Sequence, residues 1–211
     1  MSNTSLADKL AANDTVEMLR REEGAQAFPI PPEILWEANE PTNWIDEQRA
    51  WRESCGMSDF SHHMVDFRVT GPDTVELFED CSVNSYDDFE TGTAKQIVPV
   101  NPDGYVIGDG IVFKFGEDEF MTVGLPTVPN WLQYHIETGD YDVEFQRFNR
   151  THEIEGDREH FRFQLMGPET DNVVDEIADE PLPDLPFFHF EEISIDGAPV
   201  YAFRHTMTGK G

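Results

Sequence analysis

Cysteine, lysine and long apolar runs are what this sequence has least of. Its two cysteines, Cys55 and Cys81, cannot build a disulfide framework and suit a reducing cytosol. No run approaches the roughly eighteen apolar residues that a membrane-crossing helix needs, so no membrane partner is expected. The opening residues, MSNTSLADKLAAND, lack the basic start and apolar stretch of a secretory signal. Together these features predict a cytoplasmic protein.

The shortage of lysine has a counterpart in acid. Only Lys9, Lys95, Lys114 and Lys210 are present, and 14 basic residues face 43 acidic ones, for a formal charge of −29. Such a surface repels nucleic acid and anionic membranes. An acidic disordered tail would concentrate its charge in blocks with few aromatics. Here the acids are dispersed through apolar-rich segments and aromatics make up 12% of the chain. That pattern predicts a folded, halophilic protein, whose self-repulsion is screened within a few ångströms in concentrated salt. At 211 residues the chain is long enough for one large domain with a core.

Along the chain, Asn13-Asp14-Thr15 and Gly24 bracket a predicted helix at 15–24. The proline-punctuated run 28–44 reads as extended or loop, and 46–54 as a second helix. Residues 1–60 therefore form a helical and extended lead-in to a domain at 61–211. Within that domain, VDFRVTGPDTVELFEDC (65–81) lies on FRFQLMGPETDNVVDEI (161–177) at a constant offset of about 96 residues. Alternating Val65, Phe67 and Val69 predict a half-buried strand. Gly-Pro-acid then predicts a turn into a helix, since proline suits the first turn and the acid suits the positive helix end. Strand-like pairs follow each unit. YVIGDGIVFKF and EFMTVGL are joined at 116–118, and FFHFEEISI and APVYAFRHT at Asp196-Gly197. The predicted fold class is α+β, with antiparallel sheets, helices on one face, and two β-α-β-β halves at 61–133 and 160–211. The acidic connector 134–160 reads as one strand plus exposed loop.

Chemistry-bearing residues are few. His62 and His63 are neighbours at the mouth of a predicted strand. Strand neighbours point to opposite faces, so the two cannot easily share an ion, and no metal site is expected. One ring packed and hydrogen-bonded, with the other at the surface, is the bland alternative. Asp109 lies between Gly108 and Gly110 in a strand-like run. There it is either a partly desolvated acid fit for proton transfer or a turn aspartate capping amides. The Gly-Pro-acid turns lack the lysine and glycine spacing of a phosphate loop, and an acid at the helix start repels phosphate. There is no zincin motif and no Gly-x-Ser-x-Gly elbow. Trp36, Trp44, Trp51 and Trp131 read as core or interface.

Five separate runs in order carry a resemblance: GMSDFSHHMVDFRVTGPD, AKQIVPVNPDGYVIGDGIVF, EFMTVGLPTVPNWLQYH, RFQLMGPE and LPFFHFEEISIDGAPVYAFRHTMTG. They resemble the folate-binding T-protein (aminomethyltransferase) superfamily, and especially its tetrahydrofolate-dependent aromatic O-demethylases acting on vanillate and syringate. The resemblance implies a disc-like fold with tetrahydrofolate in a central hole. It also implies transfer of a one-carbon unit from a small methoxylated or methylated acid to N5 of the folate, without a metal. By match, His63 lines the active site and contacts substrate, and Asp109 faces the folate and the transferred carbon. Val123 is a pterin-contacting backbone position, and Gln96 lies beside the pterin pocket. Ile97 stands where relatives carry a pterin-stacking tyrosine. Leu125 stands where the demethylases carry an arginine for the substrate carboxylate and the glycine-cleavage protein an asparagine. Relatives continue for about as long again beyond RHTMTGKG, which makes this chain the N-terminal part of the pattern. A non-catalytic folate-binding or regulatory module of the same fold is the alternative.

Overall fold

Residues 43–62, 64–150, 153–154 and 157–205 are described by the computed structural model. The predicted helix at 15–24 and His63 lie outside the described residues. In chain order the elements are α1 (Trp44–Glu53), β1 (Gly56–Asp59), β2 (Val65–Thr70), α2 (Thr74–Cys81), β3 (Ala94–Ile97), β4 (Gly110–Gly116) and β5 (Glu119–Gly124). They continue with α3 (Thr127–Thr138), β6 (Glu144–Phe148), β7 (Phe163–Met166), α4 (Thr170–Ile177), β8 (Phe190–Ile195) and β9 (Ala198–Phe203).

Five strands form one antiparallel sheet in the order β3-β4-β5-β2-β6. β2 shows why the layers form. Its alternation sends Val65, Phe67 and Val69 to one face, each fully buried, and Asp66, Arg68 and Thr70 to the other. The apolar face packs on α2 and α3 through Leu77, Phe78, Val128 and Leu132, joined by Ile97, Val112 and Phe120. Each such side chain contributes roughly 1.5–3 kcal/mol by leaving water. Phe78 meets Phe120 edge to face at 5.6 Å. Two lysines roof this aromatic group. Lys95 lies over Tyr86 and Phe89, and Lys114 over Phe89 and Phe120. On the opposite face, Phe113 and Phe115 are covered by Phe190, Tyr201 and Phe203 of the β8–β9 hairpin. The rest of that face is the open one, partly exposed at Met121 and Arg68 but buried at Asp66 and Val123.

The internal similarity is structural as well. Gly71 and Gly167 take φ of 139° and 141°, and each opens a turn into an eight-residue helix. A Cβ on Gly71 would lie 2.3 Å from the Asp142 carbonyl oxygen, and one on Gly167 would lie 2.2 Å from that of Ser54. In both turns the buried threonine that starts the helix, Thr74 or Thr170, donates its N–H to the glycine carbonyl at 3.3 Å. Asp196 and Gly197 both take left-handed φ, at 51° and 76°, as a tight two-residue hairpin requires.

The antiparallel sheets and the helices on one face agree with the expectation, but three details differ. First, α3 occupies 127–138, where the sequence reading names no helix and begins the strand-and-loop connector at 134. Its prolines, Pro126 at the cap and Pro129 in the first turn, sit where no helical N–H donor is required, so they start the helix instead of breaking it. Second, the two halves do not use their strands alike. β7 pairs with β1, whereas β8 and β9 pair with each other. Third, α1 begins at Trp44, two residues early, because the Asn43 side chain accepts the N–H groups of Ile45 and Asp46 at 3.1 Å.

Candidate functional site

The site lies where three ladders end together. Ile97 pairs with Gly110, Gly110 with Gly124, and Gly124 with Val65. One residue beyond those pairs come Asp109, Leu125 and Met64, from the strand ends of β4, β5 and β2. One step inside, on the open face, Gln96, Ile111, Val123, Asp66 and Phe148 follow one another in register across all five strands. The Gln96 amide donates to Asp109 Oδ2 at 3.3 Å. Gln96, Asp109, Val123 and Leu125 are thus brought to one end of one face.

Asp109 is exposed and precedes β4, because the regular ladder starts only at Gly110. The expected partial desolvation within a strand is therefore absent. Its flanking glycines serve close packing of the chain on itself. A Cβ on Gly108 would lie 2.6 Å from Thr127 Oγ1, and one on Gly110 would lie 2.8 Å from the Val123 carbonyl oxygen. Gly108 thus rests against the Thr127 and Val128 side chains and Gly110 against the β5 main chain, and the two contacts together fix where Asp109 sits.

Ile97 behaves differently from its neighbour. Its side chain is fully buried in the core, on the face opposite Gln96, and so is separated from the open end of the sheet. Alternation within β3 makes this unavoidable. Val123 is 7% exposed and Leu125 42% exposed, so the rim is apolar and partly open to solvent. His62 is packed. It is buried, with Nε2 3.2 Å from Asp59 Oδ2. Burial works to raise the Asp59 carboxyl, but hydrogen bonds from Ser61 and the bond and charge of His62 outweigh it and hold it below the usual carboxylate range.

Sequence reasoning missed the strongest electrostatic feature of this face. Asp66, buried in β2 opposite Val123, is bound by Arg162 Nη2 through Oδ1. Its Oδ2 lies 3.3 Å from His160 Nδ1 and 3.8 Å from Arg158 Nη2. The His160 ring lies against Phe148 at 4.3 Å. Burial alone would raise the Asp66 carboxyl, but the bonds and charges of His160 and Arg162 lower it below the ordinary range. One signal was available. The repeat that superposes 65–81 on 161–177 places Asp66 against Arg162, two opposite charges at equivalent positions. A shallow depression of about 230 Å3, lined by Arg68, Thr70, Glu144, Phe145 and Gln146, lies at the β2–β6 edge, away from Asp109. Among the described residues no helix is long and apolar enough to cross a membrane.

What this end of the sheet can do chemically follows from its parts. A carboxylate paired with a carboxamide recognises a ring edge that both donates and accepts, and Ile111 with Val123 offers an apolar floor beside them. This donor set and floor fit the polar edge and flat face of a reduced pterin.

The model of the GCVT N-terminal domain matches residues 20–211. A syringate O-demethylase of Sphingobium sp. (strain NBRC 103272 / SYK-6) is 38% identical over 210 residues, which is 98% of this chain and 44% of that protein. An aminomethyltransferase of Thermotoga petrophila is 28% identical over 173 residues, 80% of this chain and 44% of its own length. A sesamin methylene transferase of Sinomonas sp. (strain No.22) is 32% identical over 143 residues, 68% and 29%. The chain spans less than half the length of these curated relatives. Among solved structures, the glycine cleavage system aminomethyltransferase T of Bartonella henselae superposes with a TM-score of 0.64 at 20% identity, covering 81% of this chain and 44% of that one. The antiparallel sheet with its helices on one face, the paired Gly-Pro-acid turns and the match over 20–211 make this chain a member of the GCVT N-terminal domain family.

Proposed function

We propose that the protein is a tetrahydrofolate-dependent one-carbon transferase, moving a methyl group from a small methoxylated or methylated acid to the folate. The observation that carries this reading is the meeting of Asp109 and Gln96 at 3.3 Å beside Val123 and Leu125, at the open end of the sheet. Family membership and the relatives, a syringate O-demethylase and an aminomethyltransferase among them, point the same way.

Asp109, Gln96 and the main chain at Val123 would hold the cofactor, with Ile97 acting from the core side by supporting β3. Tetrahydrofolate, when bound, supplies the nitrogen that accepts the one-carbon unit. Displacement at a methyl carbon needs donor and acceptor in line and the leaving oxygen hydrogen-bonded or protonated. Asp109 holds negative charge where positive charge develops and can take a proton at Oδ. Gln96 orients that carboxylate. Leu125 lines the substrate side and keeps water from the donor. His63, two residues before β2, is assigned to the substrate oxygen. The small molecule, rather than nucleic acid or membrane, is the partner that a −29 chain with this site favours. The dispersed acids favour work in concentrated salt inside a cell; stable folding in about 0.1 M salt would argue against that habitat.

The test is methyl transfer to tetrahydrofolate by the purified chain in molar salt, screened across vanillate, syringate, dimethylglycine and dimethylsulfoniopropionate. Asp109→Asn should abolish transfer and leave the urea midpoint within experimental scatter. Equal loss of transfer and stability would make Asp109 a turn cap. Absence of tetrahydrofolate binding by calorimetry would refute the assignment. Binding without transfer would leave a non-catalytic folate-binding module.

A further inference from the structure

Among the described residues the rim of the site has no cation for an acidic substrate, since Leu125 is apolar. Elsewhere on the sheet the cations are committed. Lys95 and Lys114 lie over aromatic rings on the core face. Arg147 donates to Asn149 and Gln133, and Arg68, on the open face, is paired with Glu119 at 2.7 Å. One group differs. Arg158, His160 and Arg162 converge on the single buried carboxylate of Asp66, next to Val123 on the open face.

We propose that Arg162 and His160, held by Asp66, form a subsite for a carboxylate of the small molecules received on this face.

This rests on the transfer reading and names the part of it that takes the acid group. Three observations carry it. The first is unmet hydrogen bonding. Arg162 Nη1 is buried without a hydrogen-bond partner among the described residues, and buried donors in a finished site are bonded to protein, water or ion. A guanidinium with one edge on Asp66 retains a second edge suited to a carboxylate. The second is access. The side chains of His160 and Arg162 are 36% and 30% exposed, whereas Asp66 beneath them is 1% exposed. The third is rigidity. The Arg162 main chain donates to Ser61 Oγ at 2.8 Å and accepts from Phe60 N at 2.9 Å, and His160 is braced by Phe148. The next acid, Asp59, acts on Arg158 but is itself bonded by Ser61 and His62. In a chain carrying −29, a convergence of two guanidiniums and an imidazole on one acid is suited to admitting another anion.

Two sources could supply the carboxylate, the methyl donor or the acidic tail of tetrahydrofolate, and the experiment separates them. Calorimetric titrations of the purified chain in molar salt would use 3-methoxybenzoate against 3-methoxybenzamide, and tetrahydrofolate against 6-methyltetrahydropterin. Arg162→Gln and His160→Gln should weaken the charged member of one pair roughly tenfold to a hundredfold and leave its neutral partner within about twofold. Arg162→Lys, which keeps charge without the fork, should fall between. Loss on the benzoate assigns the donor's carboxylate, and loss on tetrahydrofolate assigns the acceptor's tail. Equal weakening of both members, no weakening of either, or no binding of either acid by the wild type overturns the subsite. Should Arg162→Gln melt at assay temperature, Arg162→Lys and His160→Gln decide by the same contrast. Methyl transfer with no carboxylate discrimination sinks the subsite and leaves the transfer reading. Arg162-dependent benzoate binding in a chain that never binds tetrahydrofolate does the reverse.

Discussion

Asp66→Asn isolates the charge of one buried side chain with little change of shape. The carboxylate is 1% exposed and faces Arg162, His160 and Arg158, the last only 6% exposed. Removing one partner of a buried ion pair costs about 3–5 kcal/mol, because the remaining charge stays out of water. Two features reduce that figure here. The asparagine oxygen still accepts from Arg162, and the Arg162 side chain is 30% exposed and can reach water. A loss of about 2–3 kcal/mol is expected, which lowers the melting temperature by roughly 5–10 °C for a chain of this size. The acid limb supplies a second reading of the same substitution. The Asp66 carboxyl is lowered in the folded state, so its contribution is complete above its unfolded value of 3.8 and is lost as pH falls through the folded value. Urea unfolding of wild type and Asp66→Asn should differ fully at pH 7 and converge progressively below about pH 4. A difference under about 0.5 kcal/mol at pH 7, or one that grows as pH falls, would refute the reasoning.

Gly71→Ala and Gly167→Ala place a Cβ 2.3 and 2.2 Å from a backbone oxygen, at φ values that L side chains rarely adopt. Each should cost at least about 2 kcal/mol, read from the urea midpoint, and a neutral result at both would mean that these turns tolerate ordinary φ. Cys81 is 1% exposed, and burial followed by the nearby Asp80 charge pushes its thiol up to about 12. Iodoacetamide at pH 8 should label one thiol per native chain, at Cys55, and two after denaturation; rapid native labelling of Cys81 would contradict the buried placement of α2.

How far the sequence announced this structure varies with the kind of information involved. The turns at Gly71 and Gly167 were legible because a positive φ needs glycine and the sequence repeats the whole strand-turn-helix phrase. Helix α3 was hidden by its prolines, whose meaning depends on their place in the first turn. Gln96 and Asp109 could be named by resemblance, but their hydrogen bond depends on the β3–β4 register. Strand alternation alone would have put Ile97 and Gln96 on opposite faces. The Asp66 cluster was the hardest to foresee, since it joins residues about 96 positions apart. Only the repeat, which aligns Asp66 with Arg162, hints at it.

The two lysines over the aromatic core have a consequence for how this protein meets its surroundings. Lys95 and Lys114 are the only primary side-chain amines among the described residues. Each ammonium also donates to a backbone carbonyl, that of Ser85 at 3.1 Å or Phe89 at 2.9 Å. Amine-directed reagents and lysine-modifying enzymes therefore find almost no handle on this fold that is independent of its interior. Acylating either amine removes a cation from above the Phe89 ring, so covalent marking of the surface and loosening of the core become one event.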